Sequence, residues 1–337
     1  MTYEDVNNVL NGTMIPGYEK FYDTLKQLEI LSNILEKRKQ NRQCINIFDN
    51  SVLTGIKQEQ AYVKPLNKGK SQKILENCML IFNETVAKYS FKSLLPFIYR
   101  CEEKPDAKKL EEIVLELKNL GYDFKVNRTF DDEYYLYDML QQIEKYPEYP
   151  ILSMKIIQGL KKAFYTPNNI GHFGLVLFFY THFSAPIRRF PDLQNQILIK
   201  NYIKGQYPEN IDKLNKELEE ISEHCNFTSK LSDTLERYID NKIIKIYMEQ
   251  HSQDIFNVTI CCITRNTITV KTDNGIYGKI NVEDLNEIYK YNKDKKILYN
   301  DKEILKIGTK IDVILKKIEG YKIKFKSPTT SIVRVRK

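Results

Sequence analysis

Near residue 253 the spacing of apolar residues in this 337-residue sequence changes from every three or four positions to every second one, and no single regular architecture accommodates both periods. Upstream, F-Y-D-T-L-K-Q-L-E-I-L-S-N-I-L-E-K-R-K (21–39) has helical spacing and a basic end that complements a helix dipole. That spacing predicts one buried stripe. Further helices are predicted from Ser71 through Val86, with Asn83 and Glu84 as polar interruptions, from Lys108 to Leu120 before Gly121, and from Tyr134 to Ile143. Residues 209–250 read as one long charged helix or two, and 43–64 as irregular or strand-like. Downstream, F-N-V-T-I-C-C-I, T-I-T-V-K-T, I-Y-G-K-I-N-V, K-I-D-V-I-L-K-K-I and Y-K-I-K-F-K-S are short, β-branched and divided by turn residues. Five such strands predict a small barrel of the OB type. The expected class is therefore α+β: a helix-rich part over 1–253, a five-stranded OB-fold barrel over 254–327, and a basic tail over 328–337.

Charge follows the same division. Of 52 Lys and Arg and 44 Asp and Glu, residues 254–337 hold eighteen and ten, so the whole net charge of +8 lies in the last quarter. A neutral body joined to a basic module suits a protein that holds a polyanion near a separate site. The six cysteines are scattered without C-x-x-C spacing, which signals neither zinc nor a disulfide framework and predicts reduced, half-buried thiols. No apolar run reaches the roughly 18–20 residues of a bilayer span, and the first residues lack a signal-peptide pattern, so no membrane is expected and the chain reads as cytoplasmic. Asp131-Asp132-Glu133 stands before a helix, where acidic residues stabilise the dipole without a metal.

The densest constellation is G-H-F-G-L-V-L-F-F-Y-T-H-F-S-A-P-I-R-R-F-P-D-L (171–193), in which Pro186 and Pro191 prevent one continuous helix. Paired guanidiniums clamp phosphates in two-point geometry and aromatics stack on unpaired bases, as a single-stranded RNA channel requires. The same residues also suit a structural Arg-Asp pair in a loop.

His172-Phe173-Gly174-Leu175 and Tyr180 to Leu193 closely resemble the H-F-G-L and Y-x-H-F-T-S-P-I-R-R-Y-P-D-L motifs of the ribonuclease II and ribonuclease R family of processive 3′-to-5′ exoribonucleases, with Ala185 for Ser and Phe190 for Tyr. Thr2-Tyr3, I-L-E-N-C-M-L-I-F-N-E-T-V-A (74–87), L-P-F-I-Y-R (95–100), E-K-P-D (103–106), I-S-E-H-C (221–225) and Glu236-Arg237 agree in order, so the resemblance runs nearly end to end. It implies that RNA is cut to nucleoside monophosphates at a Mg²⁺ site held by aspartates, and that the barrel is an S1-like RNA-binding domain. It also implies that Arg188 stabilises the charge of the transition state, with Asp192 as structural support. The implied RNA contacts are His172, Tyr180, His182, Arg189, Phe190 and Glu236; in the barrel, Tyr277 and Tyr289, with Tyr291 and Tyr321, are read from their residue type as candidate grips on a base or the backbone. Either histidine equally suits a hydrogen-bonded core position, and strand tyrosines also serve as amphipathic packing.

The family's aspartates lie upstream of the T-Y-x-x-V element, which here opens the sequence, so the metal ligands are expected from elsewhere, for example from a separate N-terminal segment. Glu102 stands where the family often has His, and Gln196-Ile197 where it has H-R. In the barrel, Asn266-Thr267-Ile268-Thr269 replaces a stacking F-G-x-F, and Asn281 replaces a His. Two readings follow: part of an exoribonuclease active with aspartates supplied from outside, or a module that binds RNA without cutting it.

Overall fold

A computed structural model describes residues 1–45, 52–66, 68–130, 132–157 and 159–328. The body begins with α1 (Tyr3–Leu10), opened by Thr2, whose side chain accepts from Asp5 N, and α2 (Tyr22–Asn41). A hairpin of β1 (Val52–Lys57) and β2 (Gln60–Pro65) precedes α3 (Lys70–Lys92). Gln72 Oε1 accepts from Gly69 N at 3.0 Å, which satisfies a donor that α3 leaves open at its start. Next come β3 (Tyr99–Cys101), α4 (Ala107–Asn119), capped by the Asp106 side chain on Lys108 N, α5 (Tyr135–Ile143), α6 (Tyr149–Ile157) and β4 (Phe164–Thr166). β4 pairs antiparallel with β3. After a long irregular stretch, α7 (Phe190–Ile203) leads to α8 (Ile211–Gln250), one unbroken 40-residue helix.

The predicted stripe on α2 is buried only in part, along Tyr22, Leu25, Leu28 and Ser32. Only Leu25 and Ser32 are buried, while Ile30, Leu31 and Ile34 are 60%, 42% and 58% exposed. Leu25, with Tyr22 and Leu28, shares an apolar cluster with Ile74 and Cys78 of α3, and polar groups continue the seam along the helix. Asn77 Nδ2 donates to Ser32 Oγ at 3.0 Å, and Arg38 and Arg42 both reach Glu84 at 3.0 Å. The polar interruptions of α3 are thus its seams: Glu84 joins α2, and the buried Asn83 accepts from Phe183 N at 3.2 Å. The C-I-N-I-F expectation (44–48) lies mostly outside the described residues.

Five strands, β5 (Ile255–Ile263), β6 (Thr267–Thr272), β7 (Tyr277–Asn281), β11 (Lys310–Glu319) and β12 (Lys322–Lys326), close a barrel in the order β11-β12-β7-β6-β5. All pairs are antiparallel except β12 with β7. The chain is therefore α+β, helix-rich and then a five-stranded barrel, as the period change predicts. Gly278 is required where β7 passes Phe325, because a Cβ there would lie 2.3 Å from Phe325 Cε2. Between β7 and β11 the sequence pattern missed an antiparallel meander of β8 (Lys290–Asn292), β9 (Ile297–Tyr299) and β10 (Ile304–Leu305). Its Leu298 and Leu305 join the barrel core. Val63 of β2 and Met248 of α8 enter the same core and fix the barrel to the body. No helix among the described residues is long and apolar enough to cross a membrane, and all six cysteines are free thiols.

Candidate nucleic-acid interface

The loop from Gly171 to Arg189 is held in place by buried polar contacts. Asn195 on α7 is fully buried; its Oδ1 accepts from Ile98 N at 3.0 Å and its Nδ2 donates to Ile98 O at 2.9 Å and to Thr181 Oγ1 at 3.0 Å. Thr181 Oγ1 donates to Ile98 O at 2.6 Å, and Gln196 Nε2 to Phe183 O at 2.8 Å. Glu102 secures the other end of the loop. Its Oε2 accepts from Gly174 N at 2.9 Å and lies 2.9 Å from His172 Nδ1, and a Cβ on Gly174 would stand 2.8 Å from that oxygen.

His172, Tyr180 and His182 come together. The Tyr180 ring meets both imidazoles edge-on, with centroids 5.4 and 5.8 Å away. His182 Nδ1 lies 2.8 Å from Tyr165 Oη, and the Arg100 guanidinium carbon stands 4.5 Å over the Tyr165 ring. Burial above all, and then the charges of Arg189, Arg100, His172 and Arg188, pushes the His182 imidazole down to about 2, so it is neutral at ordinary pH. Burial likewise raises the phenols of Tyr180 and Tyr165.

The two adjacent arginines have different fates. Pro191 occupies the first turn of α7, and Arg189 caps it in extended conformation with φ −131° and ψ 115°. Arg189 Nη2 then donates to Asp192 Oδ1 at 2.7 Å, which also accepts from Ala185 N at 2.8 Å. Asp192 is fully buried. Arg188 is exposed and has no ion pair among the described residues, and its neighbours Ile187 and Phe190 are 103% and 53% exposed.

The remaining predicted residues lie apart from this cluster. Glu236 stands in 230–239 of α8, ten consecutive exposed residues. Tyr277 Oη donates to Met154 Sδ at 3.1 Å at the seam between barrel and body, and burial raises its phenol to about 12. Tyr289 donates to Glu303, and burial raises its phenol further. Asn266 and Asn281, where the resemblance implies an aromatic ring and an imidazole, line a groove of about 740 Å³ with Arg265, Thr267 and Tyr289. Sequence reasoning missed Arg100 and Asn195, although Arg100 belongs to the quoted L-P-F-I-Y-R run. Of Asp131-Asp132-Glu133, Asp131 lies outside the described residues, and Asp132 accepts from Tyr134 N at 2.8 Å and pairs with Arg128. Among the described residues no three His, Cys, Asp or Glu side chains gather in a way that could hold a metal ion. The implied Mg²⁺ therefore does not fit these residues.

Residues 1–205, the stretch that carries this loop, match the model of the RNB domain. The chain belongs to the RNB family. Ribonuclease R of Thermotoga maritima is 30% identical over 331 residues, which span 94% of this chain and 46% of that one. Ribonuclease R of Mycoplasma genitalium superposes with a TM-score of 0.83 at 25% identity in its apo form, over 96% of this chain and 52% of that one. In complex with ribose-methylated single-stranded RNA it superposes with 0.82 at 24% identity, over 97% and 53%. Yeast Ssd1, described as a pseudonuclease, shares the fold at 0.67 and 18% identity, over 88% of this chain and 37% of that one. This RNB chain spans about half the length of the relatives it matches.

Proposed function

We propose that the chain supplies the RNA-holding and charge-stabilising part of a ribonuclease R-like 3′-to-5′ exoribonuclease acting on single-stranded or structured RNA. On this reading residues 1–253 are the later part of the catalytic domain and 254–327 an S1-like RNA-binding domain, and another segment carries the metal-binding carboxylates. The observation that carries the reading is the split between the arginines: Arg189 is consumed by the buried Asp192, whereas Arg188 on the same turn is exposed with no ion pair among the described residues. A planar guanidinium fixed in direction meets charge that grows on a phosphoryl oxygen in the transition state. Tyr180, Phe190 and His172 then face or support the strand, while His182, neutral and half-buried against Tyr165, positions Tyr180. The described residues offer Mg²⁺ no seat, so none of these roles is routed through the ion. A second reading, RNA binding without cleavage, draws on the departures from the family's pattern at Asn266, Asn281 and Gln196-Ile197.

The deciding experiment mixes this chain with an aspartate-bearing N-terminal segment of an RNB enzyme and follows 3′-end shortening of labelled RNA. Activity is expected in the mixture alone, and Arg188→Lys is expected to lower it by about 10²-fold or more, roughly 3 kcal/mol, with a far smaller change in RNA affinity. Parallel loss of affinity and turnover would make Arg188 a ground-state grip. No activity from a well-folded complex would leave the binding module as the function.

A further inference from the structure

Beside the β3–β4 pair, a pocket of about 570 Å³ opens between those strands and α8. Four cations, Arg100, Lys161, Lys162 and Lys230, line it with two carboxylates, Glu103 and Asp233. Both carboxylates are taken, since Lys161 pairs with Glu103 at 2.5 Å and Lys162 with Asp233 at 3.4 Å. Arg100 and Lys230 have no ion pair among the described residues.

Arg100 is the more telling of the two. Its side chain is half-buried, and its one described partner is the face of Tyr165, which is itself buried. A guanidinium withdrawn from water without a carboxylate is costly until an anion meets its fork, and stacking on a ring leaves that in-plane fork available. The ring beneath it is held firmly: Asn226 Oδ1 accepts from Tyr165 N at 2.7 Å, and Asn226 Nδ2 donates to Tyr165 O at 2.8 Å. A stacked Arg on a rigid platform, with a lysine across the pocket on α8, is the chemistry of a phosphate seat. The pocket also adjoins the loop, because Arg100 N donates to Tyr180 O at 3.0 Å and Tyr165 Oη meets His182.

We propose that this pocket is a phosphate-binding subsite in the body, with Arg100 as its two-point clamp and Lys230 as its second charge. The phosphate comes from an RNA backbone passing the Tyr180 loop or from a nucleoside monophosphate. The first source rests on the RNA reading above; the chemistry of the pocket does not.

The test uses the full chain, the exposed double variant Lys162→Gln/Lys230→Gln, and Arg100→Gln, with circular dichroism to confirm folding. Labelled oligoadenylate is titrated between about 50 and 200 mM salt, and inorganic phosphate and AMP are titrated by calorimetry. The double variant alone keeps the test valid should Arg100→Gln fail to fold. Each variant is expected to weaken RNA binding about tenfold and to reduce the salt slope by roughly 0.7 for each phosphate that it no longer neutralises. Weakening confined to RNA identifies the backbone as the source, and weakening confined to AMP identifies the mononucleotide. Unchanged RNA affinity and slope in both folded variants, with no uptake of phosphate or AMP by the natural chain, would overturn the proposal. If the natural chain binds no RNA, the RNA reading falls, and the phosphate and AMP titrations decide the pocket alone: binding abolished in the variants supports it, and no binding overturns it.

Discussion

The barrel gathers its apolar side chains into one core, whereas the body spreads its own over four smaller clusters and leaves several helix faces in water. Of the fifteen buried side chains in the barrel core, only Val63 and Met248 come from outside residues 255–325. In the body, Ile30 and Ile34 on α2, Leu75 and Phe82 on α3, and Leu231 and Leu235 on α8 are all more than two-fifths exposed. The difference follows from geometry. A closed barrel turns alternate residues of every strand into one interior, so its apolar pattern is self-satisfying. A helix buries a face only where another element meets it, and residues 230–239 of α8 stay exposed between the part that packs on the body and the part that packs on the barrel.

The comparison can be broken most forcefully at Phe325, which is fully buried in the barrel. Phe325→Ala is expected to cost about 3–5 kcal/mol, seen by hydrogen exchange as diminished protection in β6 and β7 with α5 unchanged. An equal effect in α5 would show that barrel and body unfold as one unit.

A smaller effect is expected in the body at His182. Its folded pKa lies below the unfolded value, so the neutral ring contributes stability that is complete above about pH 6.5 and is lost as pH falls toward 2. Between pH 7 and pH 5 that amounts to roughly 2 kcal/mol, read from urea midpoints of the body transition. His182→Gln should remove this part of the pH dependence. An unchanged pH slope would mean that the ring protonates without leaving the fold.

The smallest effect is expected on the outer face of α2. Ile30→Gln and Ile34→Gln should each shift stability by no more than about 0.5 kcal/mol, because both side chains are already in water. A destabilisation above about 1 kcal/mol in the urea midpoint would mean that this face is covered in solution and that the contrast with the barrel is less sharp.

The five barrel strands were legible because β-branched alternation reports a two-faced strand directly, as β6 shows with Ile268 and Val270 fully buried between less buried neighbours. The meander of β8, β9 and β10 was not, since strands of two or three residues carry too little alternation to separate them from turns. Helical spacing located α2 but not its exposed face, because periodicity names a stripe without naming what covers it.

In the loop, the sequence determined the chemistry on offer: two guanidiniums, two imidazoles, a carboxylate and several aromatics around two prolines. It left undecided which arginine is spent. Asp192 stands three residues after Arg189 and four after Arg188, and either separation can form an ion pair along a helix. Tertiary structure made the choice. With Pro191 in the first turn and Arg189 extended at the cap, both arginines precede the helix, and the Arg189 side chain folds back onto Asp192 while Arg188 remains at the surface. The environment of Arg100 was hidden for the same reason. The ring beneath it comes from a strand 65 residues later, and only the pairing of Arg100 with Tyr165 in the β3–β4 ladder brings the two together.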